Sequence, residues 1–474
     1  MEYEVVIGLE THVEQSTKTK MFCSCKNEFG AAPNTCCCEV CMALPGALPV
    51  VNKQAIYNIV KAGLATNCKI NQTFAFDRKN YFYPDCPKAY QITQFHLPIC
   101  TNGHVDLVAN GKPFTIRIHQ IHMEEDAAKL IHNNITGETV VDFNRCGTPL
   151  MEIVSEPDFR SIEQVLVYLE YIKETFKAIG ISECRMERGQ LRCDVNVSLR
   201  KPGSQEFGER TEMKNINSFK AIERAIKYEV ERQKEIYKNG GIVHRETLRW
   251  DDDAGKNYPM RSKEEAMDYR YFPEPDLLPL RITDEELKEI KSQMPILPEE
   301  RKAKYKEYGL SDYDAEQLSK EKYIYTFFDE VVLAGVNPKE ASNWIQGEIA
   351  KIVNEEMAEN PQIQLNAKEF AQLVDLYKSG TIAQASAREV LRKMWGTNAN
   401  PKELVEKLGL ASVSDDGAIR EVLQKIFDAN PQAVADYKAG NKKTVAFFVG
   451  QTMKATQGKA NAAVVNKLLA EMLQ

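Results

Sequence analysis

Two close pairs of cysteines near the start of the chain have the spacing of a metal site. Cys23 and Cys25 form the first pair and Cys38 and Cys41 the second, with twelve residues between the pairs. Two such pairs can fold onto one tetrahedral ion, with thiolates about 2.3 Å from zinc. We therefore predict structural zinc at these four thiols.

Two more thiols, Cys36 and Cys37, lie between the pairs, so either could replace one of the four ligands. Disulfides are one alternative for the six thiols, but they need an oxidising compartment. The first residues, MEYEVVIGLE, contain no basic region followed by an apolar run, so we expect no export and a cytoplasmic location. Separately buried thiols are the other alternative, although cysteines are rarely this dense in sequence.

Acidic residues and histidines occur together in two places in the first third of the chain. Glu10 and His12 lie two apart in a predicted strand, so their side chains emerge on one face. Glu124, Glu125 and Asp126 place three carboxylates in a row after another strand. A solvated surface would explain each group equally well, because salt screens like charges there. In a shared pocket, the carboxylates would need a cation to stay ionised.

Two later strands carry further candidates. Asp194 projects from the polar face of the alternating segment Leu191–Leu199, and Glu212 lies between Arg210 and Lys214. Together with the groups near residues 10 and 124, they supply oxygen ligands and one or two imidazoles. This donor set suits Mg²⁺ or Mn²⁺ with ATP better than it suits zinc-dependent hydrolysis.

The segment from residue 77 to residue 96 interleaves cations with aromatic rings. Its candidates for nucleotide binding are Arg78, Lys79, Tyr81, Lys88 and Gln91. Aromatic rings with nearby cations can stack an adenine and hold phosphates, and they can equally be amphipathic rings of the core. The sequence contains no Walker lysine loop, dinucleotide-binding glycine fingerprint or kinase glycine loop, so a nucleotide site would be unconventional.

Lysines occur among glycines near the C-terminus, namely Lys442, Lys443, Lys454 and Lys459. From residue 408 to residue 474 the chain has eight Lys or Arg and six Asp or Glu, a net charge of +2, whereas the whole chain carries −7. These lysines could bind a nucleic-acid phosphate backbone. Ordinary solvated lysines on a small helical bundle are the alternative.

The bulk composition is that of a soluble globular protein, with 43 % hydrophobic and 27 % charged residues and a mean hydropathy of −0.42. A chain of 474 residues is too long for one core, so we expect about two to four domains. Apolar runs such as residues 445–449 are far short of the roughly 20 residues that a membrane helix requires. The negative net charge argues against a protein that coats nucleic acid nonspecifically.

The elements that must position the candidate residues change type along the chain. Short alternating runs predict strands in the first part, among them Tyr3–Val13, Phe114–Ile121 and Leu191–Leu199. Helices are predicted between the strands at about Ser161–Ile179 and Ser218–Asn239.

After residue 280 the apolar spacing is helical up to the C-terminus. We therefore predict an α+β protein with three domains. A strand-rich mixed domain would occupy residues 1–294, an all-helical domain residues 295–407, and a small helical tail domain residues 408–474.

Distinctive strings recur in both parts of the chain. They include Val6-Ile-Gly-Leu-Glu-Thr-His12, Phe76-Asp-Arg-Lys-Asn-Tyr-Phe-Tyr-Pro-Asp85, His122-Met-Glu-Glu-Asp126, Glu152-Ile-Val-Ser-Glu-Pro-Asp158, Leu191-Arg-Cys-Asp194, Tyr269-Arg-Tyr-Phe-Pro-Glu-Pro-Asp276 and Gly450-Gln-Thr-Met-Lys454. In these strings the chain resembles the B subunits of tRNA-dependent amidotransferases. The related archaeal E subunits carry an inserted synthetase-like domain, for which residues 280–294 leave no room.

The resemblance implies a function. B subunits use Mg-ATP to phosphorylate the side-chain carboxyl of the amino acid on misacylated Glu-tRNA(Gln) or Asp-tRNA(Asn). Ammonia, released from glutamine by the amidase A subunit, passes through a tunnel and displaces the phosphate, giving Gln-tRNA(Gln) or Asn-tRNA(Asn). A small C subunit completes the heterotrimer. The chain is thus expected to act in a ligase that forms a carbon–nitrogen bond with glutamine as amido donor.

The resemblance also implies residue roles in a "cradle" formed by the first domain. The family's magnesium ligands and catalytic residues correspond to Glu10, His12, Glu124, Glu125, Asp194 and Glu212. Its zinc ligands correspond to Cys23, Cys25, Cys38 and Cys41, and its helical and tail domains hold the tRNA. This chain departs from the family pattern at Cys36 and Cys37, which are more usually not cysteine, and at Glu39, where many relatives carry proline.

Two other functions stay open at this point. The chain could be a non-catalytic, zinc-stabilised tRNA-binding scaffold of the same complex, or a standalone ATP-dependent amide ligase for a small acid. The acidic and imidazole groups argue against the first, and the C-terminal lysines argue against the second. ADP formation that depends on charged tRNA would separate all three.

Overall fold

The computed structural model of the protein describes residues 3–133, 135–262, 269–357, 361–397, 399–411, 416–438, 443–456, 460 and 462–473. The chain divides into two compact units, Met1–Leu297 and Pro298–Gln474. The first unit contains the strands and the second is helical in its described part. The predicted α+β class, with strands first and helices after, is confirmed.

The strands of the first unit are β1 (Glu4–Glu14), β2 (Lys69–Ile70), β3 (Thr73–Phe74), β4 (Asp77–Asn80), β5 (Tyr90–Thr93), β6 (Cys100–Ala109), β7 (Lys112–Glu125), β8 (Lys129–His132), β9 (Thr139–Asp142), β10 (Pro149–Ser155), β11 (Leu191–Arg200), β12 (Thr211–Lys214), β13 (Glu246–Asp251), β14 (Lys256–Ser262), β15 (Phe272–Pro273) and β16 (Leu280–Arg281). Nine of them form one sheet in the order β14-β13-β12-β11-β1-β10-β7-β6-β2. Strand β1 therefore lies in the middle of the sheet, where both of its edges are paired.

The helices of the first unit are α1 (Lys53–Ala65), α2 (Ile162–Ala178), α3 (Phe219–Lys238) and α4 (Asp284–Ser292). Helix α1 packs on β6 and β7, α2 on β6, and α3 on β11. Their apolar faces and the odd-numbered residues of β1 (Ile7, Leu9 and Val13) belong to one buried cluster. One face of the sheet is thus covered by helices, because strand alternation sends its apolar side chains there.

The caps of two helices explain why their predicted bounds are close to the observed ones. The side chains of Ser161 and Ser218 accept hydrogen bonds from backbone N–H groups in the first turns of α2 and α3. Such caps satisfy donors that have no partner within the helix. Helix α1 and the short strands between residues 69 and 93 were not predicted from sequence.

A three-stranded sheet, in the order β15-β4-β5, lies on the side of the large sheet that the helices leave open. Its strand β5 contacts β7. The cavity described below lies between residues of these two sheets.

The second unit contains twelve α-helices in its described part, namely α5 (Pro298–Glu307), α6 (Asp312–Lys320), α7 (Lys322–Leu333), α8 (Pro338–Trp344), α9 (Ala350–Glu356), α10 (Ala367–Lys378), α11 (Gln384–Met394), α12 (Pro401–Leu408), α13 (Asp416–Ala429), α14 (Pro431–Lys438), α15 (Lys443–Ala455) and α16 (Ala462–Leu473). A π-helical turn, Ile345–Ile349, joins α8 to α9. Two separate buried clusters form, one within residues 305–410 and the other within residues 419–473. Among the described residues, no helix is long and apolar enough to cross a membrane.

Gly63 on α1 gives a test of how tightly the helix packs against the sheet. A Cβ atom at this position would lie 2.4 Å from Cys100 Sγ and 2.8 Å from Ile70 Cδ1. We expect Gly63→Ala to lower the free energy of unfolding by about 1–3 kcal/mol, the usual cost of overpacking a core.

Chemical denaturation of Gly63→Ala, Cys100→Ala and the double variant would measure this cost. If the clash with Cys100 causes it, the alanine at position 63 should cost much less in the Cys100→Ala background, because the sulfur is then absent. Equal costs in both backgrounds would contradict the assigned contact.

Candidate functional site

The register of four neighbouring antiparallel strands gathers the acidic residues and histidines on the open face of the large sheet. His12 on β1 lies opposite Glu152 on β10, which in turn lies opposite His122 on β7. Glu10 lies opposite Asp194 on β11. Residues that are opposite or diagonal on one sheet face are close enough for their side chains to interact.

The first group of ligand-type atoms comprises His12, Glu124 and Glu152, whose donor atoms lie within 4.8 Å of one another. His12 Nε2 is 3.6 Å from Glu152 Oε2 and 4.0 Å from Glu124 Oε2. His122 Nε2 approaches the same Glu152 oxygen at 3.2 Å. Glu124 also accepts a hydrogen bond from the Thr93 hydroxyl at 3.1 Å, and Lys79 Nζ is 3.7 Å from it.

Charges in the first group support one another. Burial opposes protonation of both histidines, but Glu152 and Glu124 outweigh it, raising the pKa of His12 and raising that of His122 to about 9. Burial would raise the pKa of Glu124, but Lys79 and His122 lower it below its ordinary value. The two imidazoles hold the pKa of Glu152 well below its usual range despite burial. The two carboxylates thus favour the cationic form of both imidazoles.

The second group comprises Glu10, Asp194 and Glu212, again with donor atoms within 4.8 Å of one another. Lys214 Nζ contacts Asp194 at 2.5 Å and Glu212 at 2.9 Å. Burial, and after it the neighbouring Glu152 and Glu212, raise the pKa of Glu10. Lys214 lowers the pKa of Glu212 against the effect of burial. The group thus has three carboxylates and a single lysine paired with two of them. Three carboxylates are a donor set that suits Mg²⁺ or Mn²⁺.

Both groups line one cavity of about 500 Å³. Lys79, Tyr269 and Tyr271 lie on its wall beside the first group, and the exposed Arg210 and Arg245 lie beside the second. A second pocket of about 410 Å³ shares Glu10, Val154, Arg210 and Arg245 with this cavity. The remainder of its lining is largely apolar or uncharged and includes Val6, Gly8, Leu9, Pro157, Asn196 and Phe207.

The structure brings five of the six residues predicted as magnesium ligands into these two groups: Glu10, His12, Glu124, Asp194 and Glu212. Glu125, the sixth, lies outside both groups, because successive residues of a strand point to opposite faces. Its carboxylate instead contacts Lys88 Nζ at 2.6 Å and accepts a hydrogen bond from the Ile92 N–H at 3.0 Å. The geometry therefore assigns Glu125 to an ion pair with Lys88 beside a separate pocket of about 210 Å³.

Of the five residues predicted to bind nucleotide, Lys79 lines the 500 Å³ cavity and the other four do not. Arg78 forms a bidentate pair with Glu274 at 2.7 and 2.8 Å. The Gln91 side-chain amide donates to Glu124 at 3.2 Å and so orients a candidate ligand. Lys88 pairs with Glu125, and burial raises the pKa of the Tyr81 hydroxyl. Direct contact of these four residues with a nucleotide stays a prediction, because none of them lines the 500 Å³ cavity.

Sequence reasoning gave no role to Glu152, which lies in one of the distinctive strings, and considered Lys214 only as a neighbour of Glu212. The signal for Glu152 was present, because it is the single charged residue of β10. Arg245 and Thr247 carried no comparable signal. They reach the cavity through the parallel pairing of β13 with β12, which sets Thr247 opposite Glu212.

A third group brings together the sulfur atoms of the four predicted zinc ligands, which lie within 4.8 Å of one another. Cys36 and Cys37 are not part of it. A hydrogen bond from Cys23, opposed by burial, lowers the pKa of Cys41 to about 4. The fully buried Lys20 contributes, with Nζ 3.5 Å from Cys41 Sγ. Four converging sulfurs with a stabilised thiolate fit a tetrahedral zinc-type ion.

The C-terminal lysines fall only partly within the described residues. Lys454 is exposed in the last turn of α15, and the backbone of Lys443 begins the same helix. Lys442 and Lys459 lie outside the described residues.

Comparison with known proteins shows the class of this chain. The profile of the family described as the GatB/GatE catalytic domain matches residues 5–288, and the profile described as the GatB domain matches residues 326–473. Together these matches show that the chain combines the catalytic domain of this family with its second domain.

Full-length relatives make the assignment more specific. Proteins from Lachnospira eligens and Persephonella marina are each 50 % identical to this chain, and one from Caldicellulosiruptor bescii is 49 % identical, each alignment covering 100 % of both chains. All three are named as the B subunit of an aspartyl/glutamyl-tRNA(Asn/Gln) amidotransferase. The chain belongs to this family of amidotransferase B subunits, which confirms the resemblance seen in its sequence and its assignment as an amidotransferase subunit.

The thiol group predicts how metal content responds to substitution. We expect the purified protein to hold about one zinc per chain and Cys25→Ser to lose most of it, because three thiolates bind zinc less tightly than four. Cys36→Ser, which alters a thiol outside the group, is the matched control and should retain the metal. Elemental analysis after dialysis against a chelator measures both. Equal zinc loss in the two variants would contradict this ligand set.

The raised pKa of His12 predicts a pH-dependent affinity for Mn²⁺ in the carboxylate cavity. A metal ligand must be a neutral imidazole, so bound metal displaces the proton that Glu152 and Glu124 stabilise. We expect Mn²⁺ affinity to rise from about pH 6 to about pH 8, with proton release on binding. Calorimetry in two buffers of different ionisation enthalpy measures the released protons. Proton release should decrease in His12→Asn, leaving the part due to His122 and Glu10, and should be unchanged in His119→Gln, which alters an exposed histidine outside the cavity.

Proposed function

We propose that this chain activates the side-chain carboxyl of an amino acid esterified to tRNA by phosphorylating it with Mg-ATP, and then hosts its amidation. The observation that carries the proposal is the pair of carboxylate groups, His12/Glu124/Glu152 and Glu10/Asp194/Glu212, in one cavity. The relatives' name points to two substrates, Glu-tRNA(Gln) and Asp-tRNA(Asn), and the proposed activity includes both.

The second pocket supports a position for the nucleotide. Its apolar and amide lining, including Val6, Pro157 and Asn196, suits a nucleobase and ribose. Arg210 and Arg245 border both this pocket and the main cavity, where they would face the phosphates. The γ-phosphate would then lie beside Glu10, Asp194 and Glu212. Divalent cations at these carboxylates would neutralise phosphate charge when bound.

The reaction needs positioning and charge neutralisation and no covalent protein nucleophile. An oxygen of the substrate carboxylate attacks the γ-phosphorus of ATP. The new O–P bond forms as the bond to the β-phosphate oxygen breaks, giving an acyl phosphate and ADP. Ammonia then attacks the carbonyl carbon and loses a proton, and phosphate leaves with the electron pair of the C–O bond. Lys79 and Lys214, which pair with Glu124 and Asp194, would hold anionic oxygens near the two groups.

The proposal extends to partners and domains. Ammonia would come from a glutaminase A subunit, and a small C subunit would complete a cytoplasmic heterotrimer. The twelve unpaired thiols support a reducing compartment. We further propose that residues 1–294 form the catalytic cradle, while residues 295–407 and the tail at 408–474 hold the tRNA. The two separate helical cores support that division, and Lys442, Lys443, Lys454 and Lys459 stay candidate tRNA contacts.

We expect Asp194→Asn to reduce ADP formation dependent on charged tRNA by roughly a hundredfold or more, the scale of losing one contact to developing charge. The complex with its A and C partners would be assayed with Mg-ATP, glutamine and either charged or uncharged tRNA. Asp106→Asn is the control, because that carboxylate is 71 % exposed on the β6–β7 hairpin. Affinity for tRNA should be nearly unchanged in both variants.

Normal amidation by Asp194→Asn would remove this residue from the site. Equal ADP formation with charged and uncharged tRNA would contradict the proposal that this chain phosphorylates the amino acid on the tRNA. The zinc-stabilised tRNA scaffold would then be the better account.

A further inference from the structure

A row of aromatic rings forms one wall of the carboxylate cavity. Phe95 stacks on Tyr271 with ring centroids 4.3 Å apart and an interplanar angle of 8°. Tyr271 meets Tyr269 edge-on at 5.9 Å, and Lys79 Nζ lies 5.2 Å from the centre of the Tyr269 ring. All four residues line the cavity that contains His12 and Glu124. The row is therefore part of the site and not of the hydrophobic core.

Phe95 is 54 % exposed at the end of this row. One face of its ring is covered by Tyr271, and the His96 ring lies 5.1 Å away between centroids, perpendicular to the Phe95 ring. Such exposure of a large ring on a cavity wall leaves an apolar surface in contact with water. A planar ligand that covered it would extend the existing stack by one member.

The backbone under Phe95 is held firmly. The N–H groups of Phe95 and His96 both donate to Asp77 Oδ2, at 2.7 and 3.0 Å, and Asp77 is 2 % exposed. The preceding Gln94 accepts a hydrogen bond from the Met123 N–H at 3.0 Å, beside Glu124. The ring is therefore fixed relative to the first carboxylate group, as a preorganised binding surface should be.

The position of the ring selects between two possible planar ligands. The nucleotide pocket adjoins the second carboxylate group, because it shares Glu10, Arg210 and Arg245 with the cavity. Phe95 lines the main cavity but not that pocket. It lies instead on the side of Lys79 and Glu124, where the acceptor carboxyl would lie in an in-line transfer. A base at Phe95 would thus belong to the acceptor substrate and not to ATP.

We propose that Phe95, stacked on Tyr271, binds the terminal adenine base of the charged tRNA and so fixes the distance from the tRNA end to the carboxylate groups. This inference rests on the proposed function, since it identifies the part of the same substrate that this wall recognises. A stack on the terminal adenine does not depend on which amino acid is esterified to the tRNA. It therefore suits an enzyme that accepts more than one charged tRNA. Lys79, under the neighbouring ring, is placed near the ester and the activated carboxyl.

The test compares Phe95→Leu, which retains apolar bulk without a ring, with Phe95→Trp, which retains stacking. The complex with its A and C partners is assayed for KM with charged tRNA and, separately, with ATP. We expect Phe95→Leu to raise the KM for charged tRNA roughly tenfold, the scale of one lost base stack, and to leave the KM for ATP unchanged. Phe95→Trp should stay near wild type. Phe207→Leu in the nucleotide pocket is the reciprocal control and should raise the KM for ATP instead.

A second arm uses tRNA that lacks its terminal adenosine, in a binding measurement that needs no turnover. The wild-type complex and Phe95→Leu should bind this shortened tRNA equally, because the stack is already absent. A Phe95→Leu effect of the same size on full-length and shortened tRNA would overturn the inference. So would an unchanged KM for charged tRNA, or an increase confined to the KM for ATP. The proposed function fails separately, if the wild-type complex forms no ADP in response to charged tRNA.

Discussion

The register of β1 between β10 and β11 is the constraint on which the site depends. In this register His12 faces Glu152, and Glu10 faces Asp194. A slip of one residue would send both side chains to the helix-covered face and turn apolar residues into the cavity. Burial of Ile7, Leu9 and Val13 against the helices prevents the slip. The hydrophobic face of one central strand thereby fixes the polar constellation on its other face.

Charge balance is the second consequence of this arrangement. Five carboxylates line the cavity, and four strong cations line it with them: Lys79, Arg210, Lys214 and Arg245. Glu152 and Glu124 also raise the pKa values of His12 and His122, which favours the cationic form of both imidazoles. A nucleoside triphosphate brings about four negative charges, so it can enter without a large electrostatic penalty only with divalent cations. The lysines and histidines thus favour the ionised forms of Glu124, Glu152 and Glu212, whereas burial and neighbouring carboxylates raise the pKa of Glu10.

The sequence predicted the fold class, the central strands and five of the residues in the two carboxylate groups. These follow from local rules, since alternation places Glu10 with His12 and a serine cap begins α2. Three kinds of feature did not follow. Glu125 was grouped with Glu124 although neighbours on a strand face apart. Arg78 and Lys88 looked like phosphate ligands because their partners, Glu274 and Glu125, are distant in sequence. Arg245 reaches the cavity through a parallel strand pairing that no local pattern indicates.

The end of β7 joins the carboxylate cavity to the thiol group. The Gln91 amide donates to Glu124 Oε2 on the cavity side and to the Glu125 backbone oxygen, at 3.2 and 2.8 Å. The chain then turns through Asp126, whose backbone oxygen accepts from the Gly147 N–H, while Cys146 Sγ donates to the Cys41 backbone oxygen at 3.1 Å. An ion held by the four thiols would stiffen this turn, and with it the position of Glu124. The metal proposed as structural and the carboxylates proposed as catalytic are therefore parts of one connected network, because the same short strand end anchors both.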